Sequence, residues 1–176
     1  MPLRWGEVIP WWFISEAAKK AKYVLPPVIY IGQPATTRTI ILEQFGAAIS
    51  QYLAQNRQSY KRVVMVISSD LSHHHSALPS SPYPYDPSAP VFDNLITQWA
   101  KLDRTGTTSE SKASELLVKN AGAIKDSAGS CGYNGLLMLN GLIKNAVGKN
   151  CKFSSKFYEY AAPTYFGMMA SGWILQ

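Results

Sequence analysis

A chain of 176 residues, 47% hydrophobic and 16% charged, has the apolar content of one folded domain and excludes intrinsic disorder. Its net charge of +6 is spread thinly, with Lys19-Lys20 and Lys61-Arg62 the tightest basic pairs and no RNA- or DNA-binding signature, so no nucleic-acid partner is expected. Two cysteines, Cys131 and Cys151, are too few for a secreted disulfide framework and suit reduced thiols in a cytoplasmic protein; no apolar run is long enough to span a membrane.

Residues 4–14, RWGEVIPWWFI, read as a buried segment leading into a short helix over 15–22, which Pro26-Pro27 stops. Pro10 and the lack of a basic start argue against a signal peptide there. Residues 28–31 read as a strand and 32–39 as a turn. Ile41, Phe45, Ile49, Tyr52 and Leu53 then recur at helical spacing, with Glu43, Gln44, Gln51 and Gln55 between them. The apolar run 63–67, Val-Val-Met-Val-Ile, reads as a strand buried on both faces. Strand, helix and strand predict a β-α-β unit whose right-handed crossover makes the strands parallel.

Three histidines, His73 to His75, follow Ser68-Ser69-Asp70 just past the carboxyl end of that run, where open α/β sheets hold their ligands. Residues 76–90 carry five of the chain's eleven prolines together with Tyr83 and Tyr85, and read as an ordered flap over the site. Phe92, Leu95, Ile96, Trp99 and Leu102 mark an amphipathic helix, 104–112 a polar break, and 113–125 a further helix. Residues 133–147 are apolar nearly all round and predict a buried helix; 152–160 and 165–175 predict closing strands. The expected fold is a single α/β domain with a mostly parallel central sheet flanked by helices on both faces.

Histidines in a Ser- and Pro-rich loop are often merely solvated. The strand-end setting adds chemistry, because imidazole is the side chain whose proton moves near neutral pH. Asp70, three residues ahead of His73, has the reach to accept from a ring nitrogen and select the tautomer. That singles out His73 over His74 and His75.

Four stretches lie in register with one known family: Ser69-Asp70-Leu71-Ser72-His73; Tyr85-Asp86-Pro87 with Phe92-Asp93; Gly129-Ser130-Cys131-Gly132-Tyr133; and Tyr160-Ala161-Ala162-Pro163-Thr164-Tyr165-Phe166-Gly167. From about Gly6 to the C-terminus the chain resembles the class III extradiol (LigB-type) ring-opening dioxygenases and their Memo-like relatives. The resemblance implies oxidative cleavage of a small catechol-like aromatic substrate by Fe(II) and O₂, with the iron held by two histidines and a carboxylate. It makes His73 the acid/base that takes the second phenolic proton and later returns one, with Asp70 orienting it. His74, Tyr83 and Tyr85 become substrate and flap residues. Cys131, followed by Gly132, matches the metal-ligating cysteine of Memo-like proteins, its bland alternative being a small buried hydrophobe. A helix N-terminus beside it would lower the thiol pKa.

The resemblance also marks what the chain lacks. No histidine precedes His73, and Arg4-Trp5-Gly6 stands where relatives read Asp-His-Gly. Residues 1–176 therefore read as a partial LigB-like domain, matching the C-terminal two thirds of the fold without its N-terminal metal-ligand part, and iron binding is expected to be weak or lost. Two functions of different class follow: a ring-cleaving enzyme, or a degenerate homologue serving as a binding or structural partner. With the upstream half absent, Trp5, Trp11, Trp12 and Phe13 are expected to join a homodimer or a separate partner.

Overall fold

The computed structural model describes residues 5–32 and 38–176. Arg4, the side chain of Trp5 and most of the expected turn over 32–39 lie outside them. Helix α1, Trp5–Ala21, begins well before the expected helix, taking in the whole tryptophan segment. Pro10 lies inside it, so the bond to the Gly6 carbonyl is missing and the ring crowds that carbonyl. Lys19 and Lys20 favour the negative end of the helix, and Lys22, at φ 57°, turns the chain out.

Helix α2, Thr39–Gln55, crosses the late helix α6, Tyr133–Val147, at very short range. The approach depends on two glycines: a Cβ on Gly46 would strike the backbone of Met138, and one on Gly141 would strike that of Glu43. Helix α3, Ser88–Ala100, turns Phe92, Ile96, Trp99 and Ala100 inward. Helix α4, Thr107–Ser114, runs directly into a π-helical segment, Glu115–Ala121, and the short α5, Gly122–Ile124. Leu42, Phe92, Ile96, Trp99, Leu117 and Leu137 form the centre of one core, shared by α2, α3, the π segment and α6.

Beneath that core lies a polar knot. Arg104 is fully buried; its Nε donates to Glu110 Oε1 at 2.7 Å and its Nη2 to Asn140 Oδ1 at 3.0 Å. Asn140 also accepts from Trp99 Nε1 at 3.2 Å and donates to Glu43 Oε1 at 2.8 Å, so α2, α3 and α6 meet at one amide and Arg104 ties α4 to it. Unpaired, these groups would each cost more than a lost hydrogen bond.

Two strands, β1 Phe153–Ala161 and β2 Met168–Leu175, pair antiparallel from Phe153↔Leu175 to Ala161↔Met168, with a bulge between Phe157 and Glu159. One face, carrying Phe157, Tyr160, Met169 and Trp173, packs on the core, where Trp173 meets Trp99 edge-on at 4.7 Å. Both strands were expected from the sequence; their isolation from any larger sheet was not. The mostly parallel central sheet is overturned: among the described residues the sheet has two antiparallel strands, and residues 28–31 and 63–67 belong to none. The physical reason lies in pairing. An apolar, β-branched run specifies only that a residue suits a pleated surface, whereas a parallel ladder needs a partner brought across a helical crossover. The pair β1–β2 closes through the short connection 162–167, a local contact. Residues 28–31 and Val63, Val64 and Val66 instead stay exposed, Ile29 83% and Val64 81%, while Met65 and Ile67 lean on the core from one side only.

No helix among the described residues is long and apolar enough to cross a membrane.

Candidate functional site

The histidine segment is held on both sides by backbone hydrogen bonds. Leu71 N–H donates to the Gly167 carbonyl at 2.9 Å, Gly167 N–H to that of Ser72 at 2.9 Å, and His75 N–H to that of Tyr165 at 3.0 Å. On its other side His73 N–H donates to Ala128 at 2.9 Å, and Asp86 N–H to His74 at 3.1 Å. Residues 71–75 are thereby fixed between the turn after α5 and the connection before β2.

That turn selects the form of His73. Gly129 takes the left-handed conformation, φ 65°, which a side chain at this position would strain and which its neighbours His73 and His74 leave no room for. Its carbonyl lies 2.6 Å from His73 Nδ1. A carbonyl only accepts, so Nδ1 carries a hydrogen. The other nitrogen, Nε2, lies 3.1 Å from Asp70 Oδ2. Two lone pairs repel at that separation, so the contact calls for a proton on one of the two atoms. Asp70 thus engages the ring as the sequence suggested, but on the outward nitrogen, while a backbone carbonyl sets the tautomer.

Aromatic rings wall the imidazole. Tyr83 lies 5.1 Å from His73 and stacks on His74 at 5.8 Å; Tyr165 stacks on His73 at 6.3 Å and lies 5.4 Å from Tyr83. Tyr85 stands apart from this stack and is exposed. The flap has its own open depression, about 480 Å³, lined by residues 76–79 and 81–85, Tyr83 and Tyr85 included, but not by His73 or Cys131. At its far end Asp86 accepts from Ser88 N–H at 2.8 Å, and hydrogen bonding to Ser88 holds its carboxyl below the ordinary range.

Cys131 reaches the same place from the start of α6. Its Sγ, a ring nitrogen of His73 and an Asp70 oxygen lie within 4.8 Å of one another, and its thiol donates to the Asp70 carbonyl at 3.6 Å. Desolvation pushes the thiol pKa up, opposite to the lowering expected from a helix N-terminus. The cysteine precedes Gly132, the cap of α6, and so lies outside the first turn, where the dipole acts. Neighbouring Ser130 presents a buried hydroxyl without a partner among the described residues.

Chain comparison gives no relative: no family model, no curated protein and no solved structure matches this chain. The site is therefore read from its own geometry. A ferrous triad takes two imidazoles and one carboxylate. Here His74 faces Tyr83 and Gly129, and His75 is bound to Asp93. The cluster supplies one imidazole, one carboxylate and one thiol, a donor set that does not fit that iron centre.

His75 belongs to a second, buried cluster that the sequence reading passed over. Its Nε2 lies 2.7 Å from Asp93 Oδ2 and 2.9 Å from Ser72 Oγ, and Tyr160 OH donates to the same Asp93 oxygen at 2.9 Å. Serine and aspartate meet the same nitrogen, so this is no nucleophile relay, which needs one on each nitrogen. Burial and the Asp93 charge push the Tyr160 hydroxyl far above its ordinary pKa. Tyr165, the Gly129 carbonyl and Asp93 all fall within motifs visible in the sequence; what the motifs did not show was which histidine each would meet.

Proposed function

We propose that Asp70, His73, Tyr83 and Tyr165 bind the ring of a small catechol-like phenol and exchange a proton with it, the acid/base part of LigB-type extradiol ring cleavage. The observation that carries this reading is the 3.1 Å approach of His73 Nε2 to Asp70 Oδ2 at a wall of two phenol rings. A planar aromatic ligand gains by stacking on such rings, about 0.5–1.5 kcal/mol per pair beyond burial. The Gly129 carbonyl keeps Nε2 as the exchanging atom, since Nδ1–H is already committed. The charged ring gives its Nε2 proton to a ligand oxygen; the neutral ring takes a phenolic proton back. Asp70, partly exposed beside it, stabilises the charged form. Ring cleavage itself needs iron, and one imidazole, one carboxylate and one thiol do not make its two-histidine triad.

The missing second imidazole favours one alternative: a non-catalytic relative in which the same aromatic wall binds its ligand without turning it over. Two free thiols support a reducing, cytoplasmic setting. The bare Trp12 and Phe13 of α1 support a homodimer or a protein partner at that helix.

Titration with 4-nitrocatechol, whose absorbance reports its ionisation, tests the reading. Saturable binding with a spectral shift is expected, weakened more than about tenfold in His73→Gln, the scale of one charge-assisted hydrogen bond. Oxygen uptake with added Fe(II) and a ring-opened product identifies the enzyme. Binding without uptake identifies the non-catalytic relative. Absence of saturable binding overturns both.

A further inference from the structure

We infer that Asp70, His73 and Cys131 bind a thiophilic divalent cation of the zinc class. Three observations converge. First, the Gly129 carbonyl fixes the hydrogen on Nδ1, so Nε2 and an Asp70 oxygen face each other 3.1 Å apart, an arrangement that needs a positive centre between them. A proton meets that need, and so does a metal ion. Second, a sulfur joins the pair within 4.8 Å. Ligands about 2.0–2.3 Å from a tetrahedral centre stand roughly 3.3–3.8 Å from one another, so donors already within 4.8 Å need to close by about an ångström to meet one ion. Third, the supports that metal-ligating histidines use are already built: Nδ1–H donates to a backbone carbonyl, which orients the ring and raises its basicity.

Donor chemistry selects the ion. Magnesium and calcium take hard oxygen shells, and one carboxylate does not make one. Imidazole with thiolate suits zinc, and three protein ligands leave a fourth position open to water. Binding releases two protons, that of the Cys131 thiol, held on by desolvation in the empty cluster, and that shared by His73 and Asp70. Cys131 is exposed and Asp70 partly so, which leaves the ion a path in. The functional consequence rests on the proposed acid/base role: cation and proton compete for Nε2, so the bound ion switches proton exchange off. Binding itself rests on geometry alone.

Cobalt(II) is the probe, because thiolate ligation gives it a near-ultraviolet charge-transfer band and tetrahedral geometry intensifies its visible bands. Reduced 176-residue chain, without phenol, is titrated with Co(II) and then with Zn(II). One cobalt per chain, a thiolate band and displacement by zinc are expected. Cys131→Ser abolishes the band and Cys151→Ser keeps it, while Asp70→Asn and His73→Gln weaken binding by more than about tenfold, a loss that even outer-shell partners produce. A band that is absent in the parent chain, or follows Cys151 instead, overturns the site. If Cys131→Ser fails to fold, retention of the band in both Asp70→Asn and His73→Gln overturns it equally. A failed cobalt titration leaves nitrocatechol binding untouched, and failed nitrocatechol binding leaves the cobalt result standing.

Discussion

The imidazole of His75 lies 2.7 Å from the carboxylate of Asp93, an oxygen that also accepts from Tyr160 at 2.9 Å. One buried carboxylate thus ties the histidine segment to α3 and β1, and Gly167 of the strand connection leaves no room for anything beside it. Asp93→Ala removes the acceptor from two partly buried partners, leaving Tyr160 unpaired and His75 with Ser72 alone. A loss of about 1–3 kcal/mol in urea unfolding is expected. A loss under about 1 kcal/mol would show that water replaces the carboxylate without cost.

The α2–α6 crossing gives a case where two effects oppose. Alanine is better than glycine inside a helix by roughly 1 kcal/mol, so Gly46→Ala and Gly141→Ala would stabilise an open helix. Here the added methyl meets backbone rather than a movable side chain. Overpacking of that kind costs about 1–3 kcal/mol, so both variants should unfold at lower temperature. A raised midpoint in either would show the helices stand further apart.

Tyr133 sets an alkaline limit on stability. Burial, with a smaller contribution from the Glu43 charge, raises its pKa to about 12, and its hydroxyl donates to the Leu117 carbonyl at 3.1 Å, a group of the π-helical segment. A raised folded-state value means the native chain holds the proton more tightly. Its contribution is therefore complete below the unfolded value near 10 and lost as pH rises to about 12, roughly 2–3 kcal/mol in all. Unfolding free energies measured through that window should fall in the parent chain and fall less in Tyr133→Phe. Equal slopes would place the alkaline loss elsewhere.

Helix α1 carries Val8, Ile9, Trp12 and Phe13 in the open, with Trp12 56% and Phe13 63% exposed. Apolar side chains clustered this way favour association. Light scattering at tens of micromolar should give a mass above the monomer, and Trp12→Ser with Phe13→Ser should return it to one chain. A monomer in both forms would sink the idea.

Local pattern was enough for much of this protein. The helical spacing from Ile41 to Leu53, the amphipathic stretch around Trp99, the all-round apolar run 133–147 and the two closing strands all stand as read, because amphipathic period and β-propensity act within a few residues. The pairing of Asp70 with His73 was legible for the same reason: three residues separate them. What a local pattern does not carry is a partner. Residues 28–31 and 63–67 have strand composition, yet a ladder is a property of two segments, and theirs does not form. The choice among three adjacent histidines was likewise made at a distance. Gly129 holds His73 from 56 residues away and Asp93 takes His75 from 18, so the tertiary fold, by bringing one carbonyl and one buried carboxylate to neighbouring rings, decided which imidazole faces the site and which is locked inside.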